Sequence, residues 1–278
     1  MADEAGAIAS RSDETLVDIR WLEGHRAEVV LVDMRAAADF DTGHLEGARH
    51  FDPFPFHHAD TSARAMREFS AQLEWIFSAL GISGAETLVF YENDSGMRAT
   101  RGAWLAEYAG HRAVRILDGG LRRASGAALT AAVAPIQPTR FRAAPRDHIF
   151  ASHEYILESI GRPDIQIFDV RSDEEYYGER IRARRAGALP GAFHLDWVNS
   201  VAAGGEFKSP AELRAAFERL GLSIDAEIVP YCQGGYRSAN AYYALKLAGF
   251  SRVRNYIGSW GEWGNREDLP IEMPKRRA

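Results

Sequence analysis

Short apolar runs alternate with amphipathic stretches along this chain. Ile165 to Val170 (IQIFDV) is apolar at almost every position, which predicts a strand buried on both faces. Ser209 to Leu222 (SPAELRAAFERLGL) sets its apolar residues on one helical face. Ser209 is placed to cap that helix, Pro210 suits its first turn and Gly221 ends it. Glu227 to Tyr231 (EIVPY) reads as a further strand, Ser238 to Phe250 (SANAYYALKLAGF) as a helix closed by Gly249, and Val253 to Gly258 (VRNYIG) as the next strand. Strand and helix in alternation predict an α/β fold, a mainly parallel sheet flanked by helices on both faces.

The pattern occurs twice. Val29 to Asp52 matches Ile165 to Trp197, with Asp33-Met34-Arg35 against Asp169-Val170-Arg171 and Gly47-Ala48 against Gly191-Ala192. The second copy carries about eight extra residues between these anchors. Further on, Leu88 to Gly120 matches Ile228 to Trp260. Two matches in the same order imply a duplication. Thr130 to Asp147, with three prolines and no apolar period, reads as an extended linker. The expected organisation is a domain at 1–129, a linker at 130–147 and a domain at 148–278. Each domain, at roughly 130 residues, is large enough to bury a core.

Composition narrows the function. The formal net charge of the 278 residues is −6, without the basic face expected of a nucleic-acid binder. No apolar run approaches the roughly 20 residues needed to cross a bilayer. The start, MADEAGAIAS, does not read as a secretory signal. The single cysteine, Cys232, has no partner for an intramolecular disulfide and no companions for a zinc-thiolate site. A cytoplasmic protein without metal or organic cofactor is expected, with no nucleic-acid or membrane partner.

Cys232 stands at the carboxyl end of a predicted strand, where open α/β sheets bind ligands. Gln233-Gly234-Gly235-Tyr236-Arg237 must then turn the chain into a helix beginning near Ser238. Two glycines let such a turn converge several backbone N–H groups at a helix N-terminus, an anion site. With the charge of Arg237, that field favours thiolate over thiol and makes Cys232 a candidate nucleophile. Free cysteines are more often inert and buried, but a buried filler does not require two glycines after it. The first copy is an internal control. Glu92 falls opposite Cys232 and Arg98 opposite Arg237, in a loop one residue longer that also holds Asp94. Negative charge in that loop predicts a silent first domain.

On Asp169-Val170-Arg171, Leu189-Pro190-Gly191-Ala192, the Cys232 loop and Gly258 to Glu272 (GSWGEWGNREDLPIE), the chain resembles the rhodanese family of sulfurtransferases in its tandem two-domain form. The resemblance spans about residue 14 to residue 275. It implies a catalytic cysteine in the second domain only. It also implies a double displacement, in which Cys232 takes the outer sulfur of thiosulfate and passes it to cyanide or a thiol. Arg237 would hold the anionic substrate or the loop, Gln233 and Tyr236 would shape the pocket wall, and Gly234, Gly235 and Ser238 would complete the substrate cradle. The loop is most similar to the bacterial thiosulfate type that begins Cys-Gln and ends Arg-Ser. Two positions depart from the family. Eukaryotic-type members have an arginine where Glu175 stands here, and Ala188 stands where the family often has histidine, which the first copy keeps as His44.

Arg185, within Arg180 to Arg185 (RIRARR), is a candidate for an anion-attracting rim, set against a solvated charged loop. Asp169 with Arg171 and Asp33 with Arg35 read as structural ion pairs. Trp197, Trp260 and Trp263 read as packing residues, at the pocket mouth or an interface. His57 and His58 have no third ligand nearby for a metal. Alternatives are a 3-mercaptopyruvate sulfurtransferase, a cysteine-dependent phosphatase or arsenate reductase, and a non-catalytic sulfur-binding module. Phosphatase loops of that kind enclose five residues between cysteine and arginine, against four here.

Overall fold

The computed structural model describes residues 15–276. The stretch Met1 to Ser10, discussed above for targeting, lies outside them. Two compact units result, and neither is a single run of chain. One holds residues up to Phe56, Arg67–Arg146 and Val201–Phe207; the other holds His57–Met66, Asp147–Ser200 and residues from Lys208 onward.

In the first unit five parallel strands lie in the order Leu16–Val17, Val114–Leu117, Thr87–Tyr91, Val29–Asp33, Arg49–His50. The second unit repeats the scheme. Phe193–His194, Ile165–Asp169 and Glu227–Tyr231 form one parallel sheet, and Asn255–Tyr256 pairs with Phe150–Ala151 in another. A parallel bridge from Ile228 to Val253 joins the two. The central strands are buried on both faces, as their unbroken apolar runs require: Ile228, Val229 and Tyr231 expose nothing.

The helix expected at Ser209 to Leu222 spans Pro210–Leu220. Ser209 and Glu212 form a reciprocal capping box, worth about 1 kcal/mol. Gly221 ends it at φ +99°, a left-handed backbone that disfavours any residue with a Cβ. The expected linker is extended but fastened to the first unit: the N–H groups of Thr139 and Ala144 donate to the carbonyls of Ser78 and Ala109.

The duplication extends to buried hydrogen bonds. Arg171 Nε lies 3.0 Å from Asp169 Oδ1, and its Nη2 donates to the Gly187 carbonyl at 2.7 Å. Arg35 does the same with Asp33 and the Gly43 carbonyl. In each unit a strand tyrosine, Tyr231 or Tyr91, receives the N–H of Leu189 or Leu45 on its hydroxyl. These fully desolvated pairs tie the strand end to the next loop, the structural role expected of them, and removing one partner would strand a buried charge. The strand that precedes Cys232 is thereby fixed at its carboxyl end.

Candidate active site

Strand Glu227–Tyr231 delivers Cys232 to the sheet edge, and helix Arg237–Leu247 begins five residues later. The thiol is buried, with 1% exposure. Gly235 turns the loop at φ +85° and its N–H lies 3.2 Å from Sγ. Burial by itself would raise the thiol pKa. The charge of Arg237, the N–H of Gly234 and the N–H and hydroxyl of Ser238 outweigh it and hold the thiol below its ordinary range. Gly234, Gly235, Arg237 and Ser238 thus act on one sulfur, whereas the Gln233 side chain turns to the Arg182 carbonyl and the Tyr236 ring lies near His57.

The loop is anchored from behind. The N–H groups of Trp260 and Gly261 donate to the carbonyls of Cys232 and Gln233, at 2.9 and 2.7 Å. The Cys232 N–H donates to the Ser259 hydroxyl at 3.0 Å, and that hydroxyl donates to the Tyr256 carbonyl at 2.8 Å. Ser259 adopts φ +54°, the one left-handed non-glycine among the described residues. Strain of this kind costs on the order of 1 kcal/mol and persists only where surrounding structure enforces it. Ser259 lies in the Gly258 to Glu272 stretch that carries the family resemblance, but nothing in the sequence singled out its own role.

Arg237 is not free to clamp a ligand as the sequence suggested. Its Nη1 and Nη2 lie 2.5 and 3.0 Å from the two carboxylate oxygens of Glu175. Burial would raise the Glu175 pKa, but the hydrogen bonds and charge of Arg237, the Ser172 N–H and the charge of Arg182 take it down to about 2. The residue that departs from the eukaryotic arginine is therefore the counter-ion of Arg237. The sequence shows the departure but not the pairing, since the partners are far apart along the chain.

Arg185 is placed differently from the rim expectation. Its Nη1 and Nη2 donate to the carbonyls of Leu269 and Trp263, at 2.8 and 2.9 Å. A forked cation between two backbone oxygens holds the C-terminal loop together. The basic insertion does border the site, but through Arg182, whose carbonyl accepts from Gln233 Nε2 at 3.2 Å. Trp260 and Trp263 are buried packing residues, whereas Trp197 is partly exposed. Among the described residues no group of three or more His, Cys, Asp or Glu side chains could hold a metal, and no helix is long and apolar enough to cross a membrane. His57 lies against Gly234 instead.

In the first unit a carboxylate fills the equivalent nest. Glu92 Oε1 accepts the N–H groups of Arg98 and Ala99, at 2.7 and 2.9 Å. Arg98 turns to Asp52, at 2.7 Å.

The family profile described as Rhodanese-like domain matches residues 6–126 and again 152–266. A thiosulfate sulfurtransferase of Azotobacter vinelandii is 34% identical over 256 residues, covering 88% of this chain and 92% of that protein. One from Pseudomonas aeruginosa is 33% identical over 248 residues, with the same coverage of 88% and 92%. A Thermus thermophilus protein named sulfur carrier protein TtuD is 35% identical over 278 residues, covering 93% and 96%. Among solved structures, wild-type EanB matches with a TM-score of 0.83 over 95% of this chain and 70% of that one; at 23% identity, this is a likeness of fold.

Proposed function

The chain belongs to the rhodanese family, and from that membership we propose that it is a thiosulfate sulfurtransferase that carries sulfur on Cys232. The observation that carries the reading is a buried thiol that accepts the Gly235 N–H at 3.2 Å, at the start of the helix beginning at Arg237. The Cys232 thiolate attacks the outer sulfur of thiosulfate. A sulfur–sulfur bond forms to the cysteine, and the bond to the SO3 group breaks, its electron pair leaving with sulfite. The resulting persulfide anion sits where the Gly234, Gly235 and Ser238 N–H groups converge, so the donors that favour the thiolate also favour the loaded form. Cyanide or a thiol then attacks the outer sulfur and returns the thiolate. No other cofactor enters this cycle. Arg237, paired with Glu175, keeps its charge and acts by that charge on sulfur and by fixing the helix start.

The first unit is catalytically silent in this account, because Glu92 occupies the anion position. In this account the stretch expected as a linker, 130–147, goes with the first domain up to Arg146, and segments 57–66 and 201–207 belong to the opposite unit from their sequence neighbours. A reducing cytoplasm suits a working thiol that has no disulfide partner. An inorganic donor is favoured over 3-mercaptopyruvate. The Arg237 and Arg185 forks, the two candidates for binding a carboxylate, are engaged with Glu175 and with backbone carbonyls. Sulfite release from thiosulfate, measured beside pyruvate release from 3-mercaptopyruvate with cyanide as acceptor, tests this. Sulfite should dominate, and faster pyruvate release would reassign the donor.

A further inference from the structure

Gly234 and Gly235 are glycines for different reasons. Gly235 needs its positive φ, whereas Gly234 has no such backbone demand. A Cβ at Gly234 would instead fall 2.3 Å from His57 Cε1 and 2.9 Å from His57 Nδ1. The imidazole occupies the space that a side chain would need. Its ring lies at 21° to that of Tyr236, with centroids 6.2 Å apart, and its Nε2 is 3.8 Å from where a Cβ on Gly261 would stand. His57 thus lies against the loop that holds Cys232, beside the residue whose N–H anchors the Gln233 carbonyl.

The segment carrying His57 is moored to the same structure. Thr61 is buried, and its N–H and hydroxyl donate to Glu262 Oε1 and Oε2, at 2.8 and 2.7 Å. Its hydroxyl also accepts the His153 N–H at 2.8 Å. Glu262 receives the Tyr256 hydroxyl at 2.9 Å and belongs to helix Ser259–Trp263, which supports the Cys232 backbone. Mooring, helix, loop and imidazole therefore form a closed circuit. Residues 57–66 come from the first half of the sequence yet belong to the second compact unit.

We propose that His57 is a positioning residue for the Cys232 loop, its ring pinning the Gly234 peptide so that the N–H groups stay aimed at sulfur. This rests on the reading of Cys232 as the sulfur-carrying thiolate. It gives a segment from the silent copy a part in the reactivity of the active one.

The test is the rate of alkylation by iodoacetamide as a function of pH, with folding checked by circular dichroism. In His57→Ala the profile should move to higher pH, and the rate near pH 7 should fall roughly tenfold. Gly234→Ala should be damaged by collision with the imidazole, and His57→Ala in the same chain should recover reactivity. A His57→Ala profile that superposes on the wild type would overturn the proposal, as would a double variant no more reactive than Gly234→Ala alone. His57 is exposed, so its own arm stands even if Gly234→Ala yields no folded protein. Alkylation needs no sulfur donor. A protein that alkylates as expected but refuses thiosulfate would fault the sulfurtransferase reading and leave the role of His57 intact.

Discussion

The Cys232 loop and the Glu92 loop are two uses of one backbone device. In each, a strand ends beside a converging set of N–H groups at a helix N-terminus, and the following loop returns two N–H groups to the strand end. Trp260 and Gly261 donate to Cys232 and Gln233, as Leu121 and Arg122 donate to Glu92 and Asn93. What differs is the anion supplied. The second unit holds a sulfur whose thiolate is stabilised; the first holds a carboxyl group that satisfies the same donors permanently. The left-handed residue behind each loop differs too. It is Gly120 at φ +52° in the first copy and Ser259 at φ +54° in the second. Glycine adopts that conformation freely, whereas Ser259 bears strain and supplies a hydroxyl to the Cys232 N–H. The nest is thus general; on the proposed reading, activity depends on a polarisable nucleophile and on a strained residue that aligns it.

The comparison breaks most completely at the nucleophile. Cys232→Ala should lower thiosulfate:cyanide transfer to the uncatalysed background while thermal unfolding stays close to the wild type. Next come the two arginines. Arg237→Ala should reduce sulfur loading on the order of a hundredfold, since it removes the charge nearest the sulfur and strands the buried Glu175. Arg98→Ala should change loading by less than about twofold, because its loop holds no thiol. Equal losses in initial-rate assays would mean that the loops are not functionally distinct.

A smaller effect is expected at Ser259. Ser259→Gly should relieve about 1 kcal/mol of backbone strain but leave the buried Cys232 N–H without its acceptor, so stability in denaturant titrations should change little while sulfur loading slows by roughly threefold to tenfold. Loss of stability together with unchanged loading would contradict the role of the hydroxyl.

A last effect, on stability and not on transfer, separates the two buried carboxyl groups by pH. Glu175, held at about 2, contributes on the order of 3 kcal/mol, present above the ordinary glutamate range and lost as pH falls through about 2. Glu92 has the opposite sign. Burial, with the Asp94 charge, outweighs the N–H donors and raises it to about 7, so its contribution is full in acid and is lost as pH rises through 7. Glu92→Gln should remove that dependence and flatten the fall in unfolding free energy between about pH 5 and pH 8. An unchanged slope would show that Glu92 does not titrate there.

Much of this was legible in the sequence because it is local. Strand ends, the Ser209 cap, the Cys232 turn and the duplicated Asp-x-Arg pairs all arise within a few residues, and alternation of apolar runs gave the layered parallel sheets. What escaped the sequence lies in long-range pairings. Glu175 is visible as a departure from the eukaryotic arginine, but its pairing with Arg237 depends on two loops meeting. His57 reads in the sequence only as a histidine short of partners for a metal, until the fold lays it on Gly234. Arg185 belongs to a basic run that predicts solvent, and two carbonyls of a later loop take up its fork instead. Ser259 lies within a stretch that marks the family, but its own role was not legible, because backbone strain leaves no compositional trace.

Intact mass after brief exposure to thiosulfate tests the central claim most directly. The wild-type chain should gain the mass of one sulfur atom, localised to Cys232 and removed by cyanide, while Cys232→Ala gains none. A wild-type chain that stays unmodified, or a Cys232→Ala chain that takes up sulfur equally, would contradict the account.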